Sequence, residues 1–226
     1  MVHAALEDFT TWTEVDNLSK ITVTKTNITW AYKLNINATD SSVWYDYGAG
    51  NFGEFEHQFG AMAGVVQSWA PGNPVYCLGN VSQATNAALL ADNEGIGVLA
   101  RSEGGSYKLK LWQYSDDDSD TFAATRYATH YFTLIRDDSA VTAYVYAEEA
   151  RTTLSDTLTV TFASTTYRYA ASGNNNGGGY CPSIALRNLE FIAAGGWTHI
   201  INSVANASIA KINGVAKASI AKVNQT

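Results

Sequence analysis

The sequence predicts an all-β protein built as an antiparallel two-sheet sandwich, and three observations carry that expectation. Apolar and polar residues alternate from Ile21 to about Ile192, the pattern of strands with one buried face. Turn signals recur about every 8–12 residues, the spacing of a β-sandwich. The chain holds 13 Tyr, 8 Phe and 6 Trp but only 3 Pro in 226 residues, a mixture that suits pleated, half-buried strands. No strand–helix–strand alternation points to an α/β fold.

The elements follow from local pattern. "ITVTKT" (21–26) and "ITWAYKLNI" (28–36) alternate, and "SVWYDYG" (42–48) follows. In "GEFEHQFG" (53–60) a strand sends Glu54, Glu56 and Gln58 to one face and Phe55, His57 and Phe59 to the other; it is free to continue through "AMAGVV". "GIGVLARSE" and "SYKLKLWQY" form a hairpin about Gly104-Gly105. "HYFTLIRDD" and "AVTAYVYA" form a second, turning near Asp137, Asp138 and Ser139. "DTLTVTFA", "YRYAAS" and "YCPSIALRNLEFI" complete the body. Two short stretches, "QATNAALLA" (83–91) and "EEARTTL" (148–154), are compatible with helix. The glycine- and asparagine-rich run 173–179 reads as a surface loop.

Composition narrows the function. A net charge of −7 argues against a nucleic-acid partner, which requires phosphate neutralisation. No run reaches the ~18 apolar residues of a membrane span, so no membrane partner is expected, and "MVHAALEDFTTW" lacks the pattern of a secretory leader. Cys77 and Cys181 form no metal-binding spacing; two buried thiols are expected, with one disulfide as the alternative. The four histidines, His3, His57, His130 and His199, show no zinc spacing. His57 falls on the Phe55/Phe59 face and is expected as a hydrogen-bonded core imidazole. No nucleotide-binding glycine pattern and no nucleophile elbow occurs.

Three groups of residues are candidates for sites. Sugar binding needs aromatic platforms beside polar groups; Trp44, Tyr45, Tyr47, Trp112, Tyr114 and Tyr180 supply rings. Tyr180, beside the glycine-rich loop, is the best exposed of them, with Trp112 and Tyr114 next; for Trp44 and Trp112 core packing is the stronger expectation. "SDDDSD" (115–120) offers Asp116 and Asp118 as calcium ligands, without the spacing of an EF-hand loop. A solvated acidic turn is its ordinary alternative.

The third group lies beyond the body, which spans 1–194. From Gly195 to Thr226 there are three lysines and no acid; removing that +3 from the chain's −7 leaves −10 on the body. "INSVANASIAK" (201–211) matches "INGVAKASIAK" (212–222) at nine of eleven positions, and a third copy starts at "VNQT". Asn213-Gly214 between Ile212 and Val215 is a strong signal for a type I′ hairpin. Ile201, Val204, Ile209, Ile212, Val215 and Ile220, with the Asn213-Gly214 corner, are too few large apolar residues for an independent core, and an isolated hairpin is marginal in water. The tail therefore needs a surface: copies of itself in a homo-oligomer, a trimer being favoured, or a partner.

On "ITVTKTNITW", "VWYDYGAGNFGEFEHQF", "YAEEARTTLSDTLTVTF" and "YRYAASGNNNGGGY", residues from about Phe9 to Ile192 resemble the concanavalin A-like, LamG-like jelly-roll domains of tailed-phage and environmental viral proteins. "SIAKINGVAKASIAKVN" is similar to the I-N-G-V repeats that end phage structural proteins. The resemblance implies a jelly-roll sandwich in a non-enzymatic virion structural protein, a capsid decoration or a fibre component at the virion surface. Capsid or tail proteins, and host or environmental glycans, would be its partners. It also implies calcium at loop ends. A free lectin module and a laminarinase-like glycoside hydrolase are the alternatives. Those hydrolases carry an acid–x–acid–x–acid strand; here its last position is Gln58, which has no proton to give a leaving group.

Overall fold

In the computed structural model the described residues are 6–16, 19–34, 41–66, 72–81, 95–115, 118–137, 139–161, 166–173, 180–192, 211–212 and 215–216. Their strands, in chain order, begin with β1 (Thr13–Val15), β2 (Ile21–Val23), β3 (Asn27–Trp30), β4 (Lys33–Leu34), β5 (Ser42–Asp46) and β6 (Phe55–Ala63). Next come β7 (Asn73–Gly79), β8 (Ile96–Glu103), β9 (Ser106–Gln113), β10 (Asp118–Ala123), β11 (Thr129–Asp137) and β12 (Ala140–Tyr146). The last are β13 (Leu154–Thr161), β14 (Tyr169–Gly173), β15 (Tyr180–Cys181), β16 (Ile184–Ile192), β17 (Lys211–Ile212) and β18 (Val215–Ala216).

They form the expected antiparallel jelly-roll sandwich. Sheet I runs β1-β5-β14-β7-β8-β9-β10 and sheet II runs β13-β12-β11-β6-β16-β3-β2. The only helical element among the described residues is one 3-10 turn, Phe9–Thr11. Both expected hairpins are present. β8 and β9 close Glu103 onto Ser106 through Gly104 and Gly105, at φ of +56° and +82°; only glycine adopts two successive positive φ angles without strain. β11 and β12 close Asp137 onto Ala140. In the tail, β17 pairs with β18, Ile212 opposite Val215, which is the hairpin that Asn213-Gly214 signals. Ile201, Val204, Ile209 and Ile220 lie outside the described residues, as does "QATNAALLA".

"EEARTTL" is not a helix. Residues 147–153 form turns, because the Glu148 carboxylate accepts from the backbone N–H groups of Thr152 and Thr153 and from the Thr152 hydroxyl. Those bonds offer the backbone an alternative to a helical ladder. Arg151 takes a φ of +53° there.

The core is sheet against sheet. The inner faces bring Phe55, Phe59, Phe132, Leu134, Val141, Val145 and Leu186 from sheet II against Val43, Tyr76, Leu78, Val98, Leu109 and Leu111 from sheet I. Buried hydrogen bonds cross the interface. Trp30 Nε1 donates to Ser172 Oγ at 3.1 Å, and the Tyr76 hydroxyl meets His57 Nδ1 at 2.8 Å. His57 is therefore the expected hydrogen-bonded core imidazole, only 2% exposed. Its ring stacks on Phe55 and packs against Phe191. Cys77 is a buried free thiol, so the disulfide alternative does not hold.

Burial holds the His57 pKa down to about 3, against an ordinary 6.5, because the interior disfavours an imidazolium. Between those values the unfolded chain binds the extra proton, so the contribution is complete above 6.5 and diminishes as pH falls. Urea unfolding from about pH 7 down to about pH 4 is expected to reveal a loss approaching about 1.4 kcal/mol per unit. His57→Gln should flatten that dependence relative to the parent; an unchanged slope would assign it to other groups.

Candidate functional site

The strand that buries Phe55, His57 and Phe59 turns Glu56 and Gln58 to the outer face of sheet II, where both are partly exposed. Register places their neighbours. Gln58 lies opposite Thr133 of β11 and Glu190 of β16, and Thr133 lies opposite Tyr144 of β12. One row further, Gly60 lies between Tyr131 and Arg187, with Tyr146 beyond Tyr131. The face thus carries three tyrosines, two carboxylates, an amide, a hydroxyl and an arginine across four adjacent strands.

Local devices shape it. Gln58 Nε2 donates to Glu56 Oε1 at 3.2 Å, so the two side chains act as a pair. Gly60 leaves a bare spot into which neighbours lean: a Cβ there would meet Thr129 Cγ2 at 2.9 Å, Arg187 Cβ at 3.3 Å and Tyr131 Cε1 at 3.5 Å. The turn 147–153 is fastened at the same end. Arg151 Nε donates to the Phe132 carbonyl, and Arg151 Nη1 to the Glu149 carbonyl. The guanidinium lies 5.9 Å from the Tyr131 ring centre, a cation–π distance. Burial lowers the Arg151 pKa, while Glu190 and Glu149 act to raise it. Burial likewise raises the Tyr146 pKa, with Tyr144 and Glu56 adding to the shift and Arg151 and the Thr133 hydroxyl opposing it.

β16 contains a bulge. Its register with β6 shifts between Arg187 and Glu190, so Asn188 and Leu189 together face Phe59. Without the extra residue, strand parity would send Glu190 inward; with it, Arg187 and Glu190 both reach the outer face while Leu189 is buried. Asn188 pays for this with a φ of +48°. It is held by its N–H to the Thr26 carbonyl at 2.8 Å and by its side-chain amide to Glu149 Oε1 at 2.6 Å.

The aromatic residues singled out from sequence lie elsewhere. Trp112 and Tyr114 are 7% and 2% exposed and pack with Cys77, Leu99 and Ala171, and with Trp44, on the outer side of sheet I. Trp112 thus meets the core-packing expectation, and Lys110 Nζ sits 4.1 Å from its ring centre. Neither ring offers a free face for a sugar. Tyr180 starts β15, which pairs with β4; its side chain is outside the described set. Tyr131, Tyr144, Tyr146, Arg187 and Glu190 were missed. The signal for the three tyrosines was present in the two segments assigned to the β11–β12 hairpin, where Tyr131 and Thr133 alternate with Phe132 and Leu134, and Tyr144 and Tyr146 with Ala143 and Val145.

The described aspartates of the acidic run engage the facing edge strand. Asp118 Oδ2 accepts from Thr161 N at 2.9 Å and Thr161 Oγ1 at 3.0 Å, and Asp120 Oδ2 accepts from Thr159 N at 3.1 Å. β10 edges sheet I and β13 edges sheet II, so the two carboxylates satisfy the outward N–H groups of the facing edge strand. Asp116 lies outside the described residues, and no group of three His, Cys, Asp or Glu able to hold a metal occurs among them.

No family model matches the chain, and no curated protein matches it. Solved structures do. A functionally unknown protein from Saccharomyces cerevisiae aligns over 82% of this chain and 98% of its own, at 8% identity and a TM-score of 0.52. The Bacteroides ovatus xyloglucan PUL protein GH43B aligns over 85% of this chain and 40% of its own, at 13% identity and a TM-score of 0.54. The exoplasmic/lumenal domain of VIP36 aligns over 85% of this chain and 88% of its own, at 8% identity and a TM-score of 0.49. At such identities the first two likenesses establish the sandwich fold.

The hydrogen bonds from Thr161 hold the Asp118 carboxyl below its usual range. Its contribution is present above the ordinary carboxylate pKa and lost as pH falls through the lowered one. Replacing Asp118 and Asp120 together by Asn is expected to speed amide exchange at Thr159 and Thr161 while β6 amides stay protected. Unchanged exchange at both threonines would refute the edge clip.

Proposed function

We propose that this chain is a non-enzymatic, lectin-like jelly-roll head that binds glycans through the outer face of sheet II. In this reading the repeat tail mounts it, as a homo-oligomer or on a capsid or tail protein, at the surface of a virus particle. One observation carries the binding part: Tyr131, Tyr144 and Tyr146 share a partly exposed sheet face with the hydrogen-bonded Glu56–Gln58 pair and Thr133. Sugars are recognised by that combination, an apolar ring face for the C–H surface and fixed polar groups for the hydroxyls. The fold alone does not choose among lectin, hydrolase and scaffold.

Catalysis has weaker support. Gln58 occupies the position that a proton donor would need, and its amide engages Glu56. Glu190 supplies a second carboxylate on the face, in the next row and on the next strand, which is the one observation favouring a hydrolase. The tail reading is supported by the β17–β18 pairing and by the lack of acid around its three lysines.

A glycan array with the full chain is expected to give saturable binding that Tyr144→Ala and Tyr131→Ala each weaken by about tenfold or more, about 1.4 kcal/mol. Binding untouched by both substitutions would move the site elsewhere. Release of reducing ends from a bound glycan, abolished by Glu56→Gln, would replace the lectin reading with the hydrolase. Removing Trp197–Thr226 should leave a folded head that no longer assembles or attaches; assembly equal to the full chain would overturn the role given to the tail.

A further inference from the structure

Arg187 is placed and left unpaired. Lys25, Arg101 and Arg168 each form an ion pair. The Arg187 side chain has no ion pair, hydrogen bond or ring partner among the described residues, and its Nε is buried without an acceptor. Unpaired buried donors are uncommon in folded chains and call for an explanation. A chain of net charge −7 does not lack carboxylates to pair it with.

The bulge after Arg187 and the glycine opposite it explain how the side chain is set. Its stem lies against the bare backbone of Gly60, on the same spot that the Tyr131 ring edge approaches from the other side. The other charges of the face are engaged or lie in neighbouring rows: Glu56 with Gln58, Arg151 with the Phe132 and Glu149 carbonyls, and Glu190 in the Gln58 row. Among the described residues, Arg187 is thus the one cation of this face with open donors. A guanidinium fork matches a carboxylate bidentately.

Resting on the glycan-binding reading, we propose that the sheet II face selects carboxylated sugars, uronic or sialic acids, with Arg187 receiving the carboxylate and Tyr131 the adjoining ring. The probes are oligouronates and sialylated oligosaccharides, each beside the same compound with its carboxyls reduced to alcohols, titrated into the full chain at low and raised salt. An acid form is expected to bind about tenfold tighter than its reduced counterpart, with the preference shrinking as salt rises. Arg187→Gln should erase that preference and keep the weaker binding of the reduced sugar, whereas Arg187→Lys should retain part of it. Equal binding of acid and reduced forms by the parent chain overturns the inference and leaves the glycan reading standing. A preference that survives Arg187→Gln in a variant with parental thermal unfolding overturns it too. Binding of neither form, with no neutral glycan bound, removes the glycan reading itself and this inference with it.

Discussion

The organisation of the head depends on how β6 meets sheet I. Phe55, His57 and Phe59 enter the space between the sheets, and the His57–Tyr76 hydrogen bond fixes their register against β7. A buried imidazole and a buried phenol satisfy each other at little cost only when both stay neutral, and burial pushes the His57 pKa down and the Tyr76 pKa up accordingly. Once that pair is set, strand parity leaves no freedom: Glu56 and Gln58 must face outward. The chemistry of the outer surface is thus a consequence of a contact made in the core.

Parity alone would not complete the face, because β16 has to deliver Arg187 and Glu190 to the same side. The bulge at Asn188 does this, and the strained residue is over-determined by its bonds to Thr26 and Glu149. Glu149 belongs to the turn whose Arg151 guanidinium lies 5.9 Å from the Tyr131 ring centre. The turn after β12, the bulge in β16 and the glycine in β6 therefore form one linked arrangement. A sheet with regular pairing would have needed none of it, and bulges with left-handed residues are the usual means of re-aiming side chains at functional surfaces.

The sequence made the fold legible because the periodicity is strong. The alternation in "GEFEHQF" assigned inner and outer faces correctly, and the hairpins at Gly104-Gly105, at Asp137–Ser139 and at Asn213-Gly214 agree with the observed pairing. The helix compatible with "EEARTTL" gave way to side-chain capping by Glu148, which propensity does not register. The site was less legible. Tyr144 and Tyr146 belong to a correctly assigned hairpin and alternate there with Ala143 and Val145, but their convergence with Gln58 depends on which strands are neighbours, and β6 pairs with β11 and β16 across long stretches of chain. The bulge was hidden because it replaces alternation by a one-residue slip, and "ALRNLEF" still reads as an ordinary strand. The contacts of "SDDDSD" were hidden for a related reason: its described aspartates answer N–H groups on a strand some forty residues away.

The tryptophans show why the two outer faces differ. Tryptophan carries the most apolar surface, and for Trp44 and Trp112 core packing is the expectation the sequence favours. That same surface favours burial, and both side chains join the cluster with Cys77, Leu99 and Ala171. The row across sheet I has small residues, Ala171, Cys77 and Gly97, between the two tryptophans, and at Gly97 any Cβ would lie 2.7 Å from the Tyr76 carbonyl. This row on the outer side of sheet I is thus filled close to the backbone, with Ala171, Cys77 and Trp112 buried. On sheet II the corresponding positions carry tyrosines, threonines and charges, which tolerate water at one end and apolar contact at the other. Among the described residues, the outer face of sheet II sets partly exposed tyrosines beside the Glu56–Gln58 pair and the Arg187 side chain across adjacent strands.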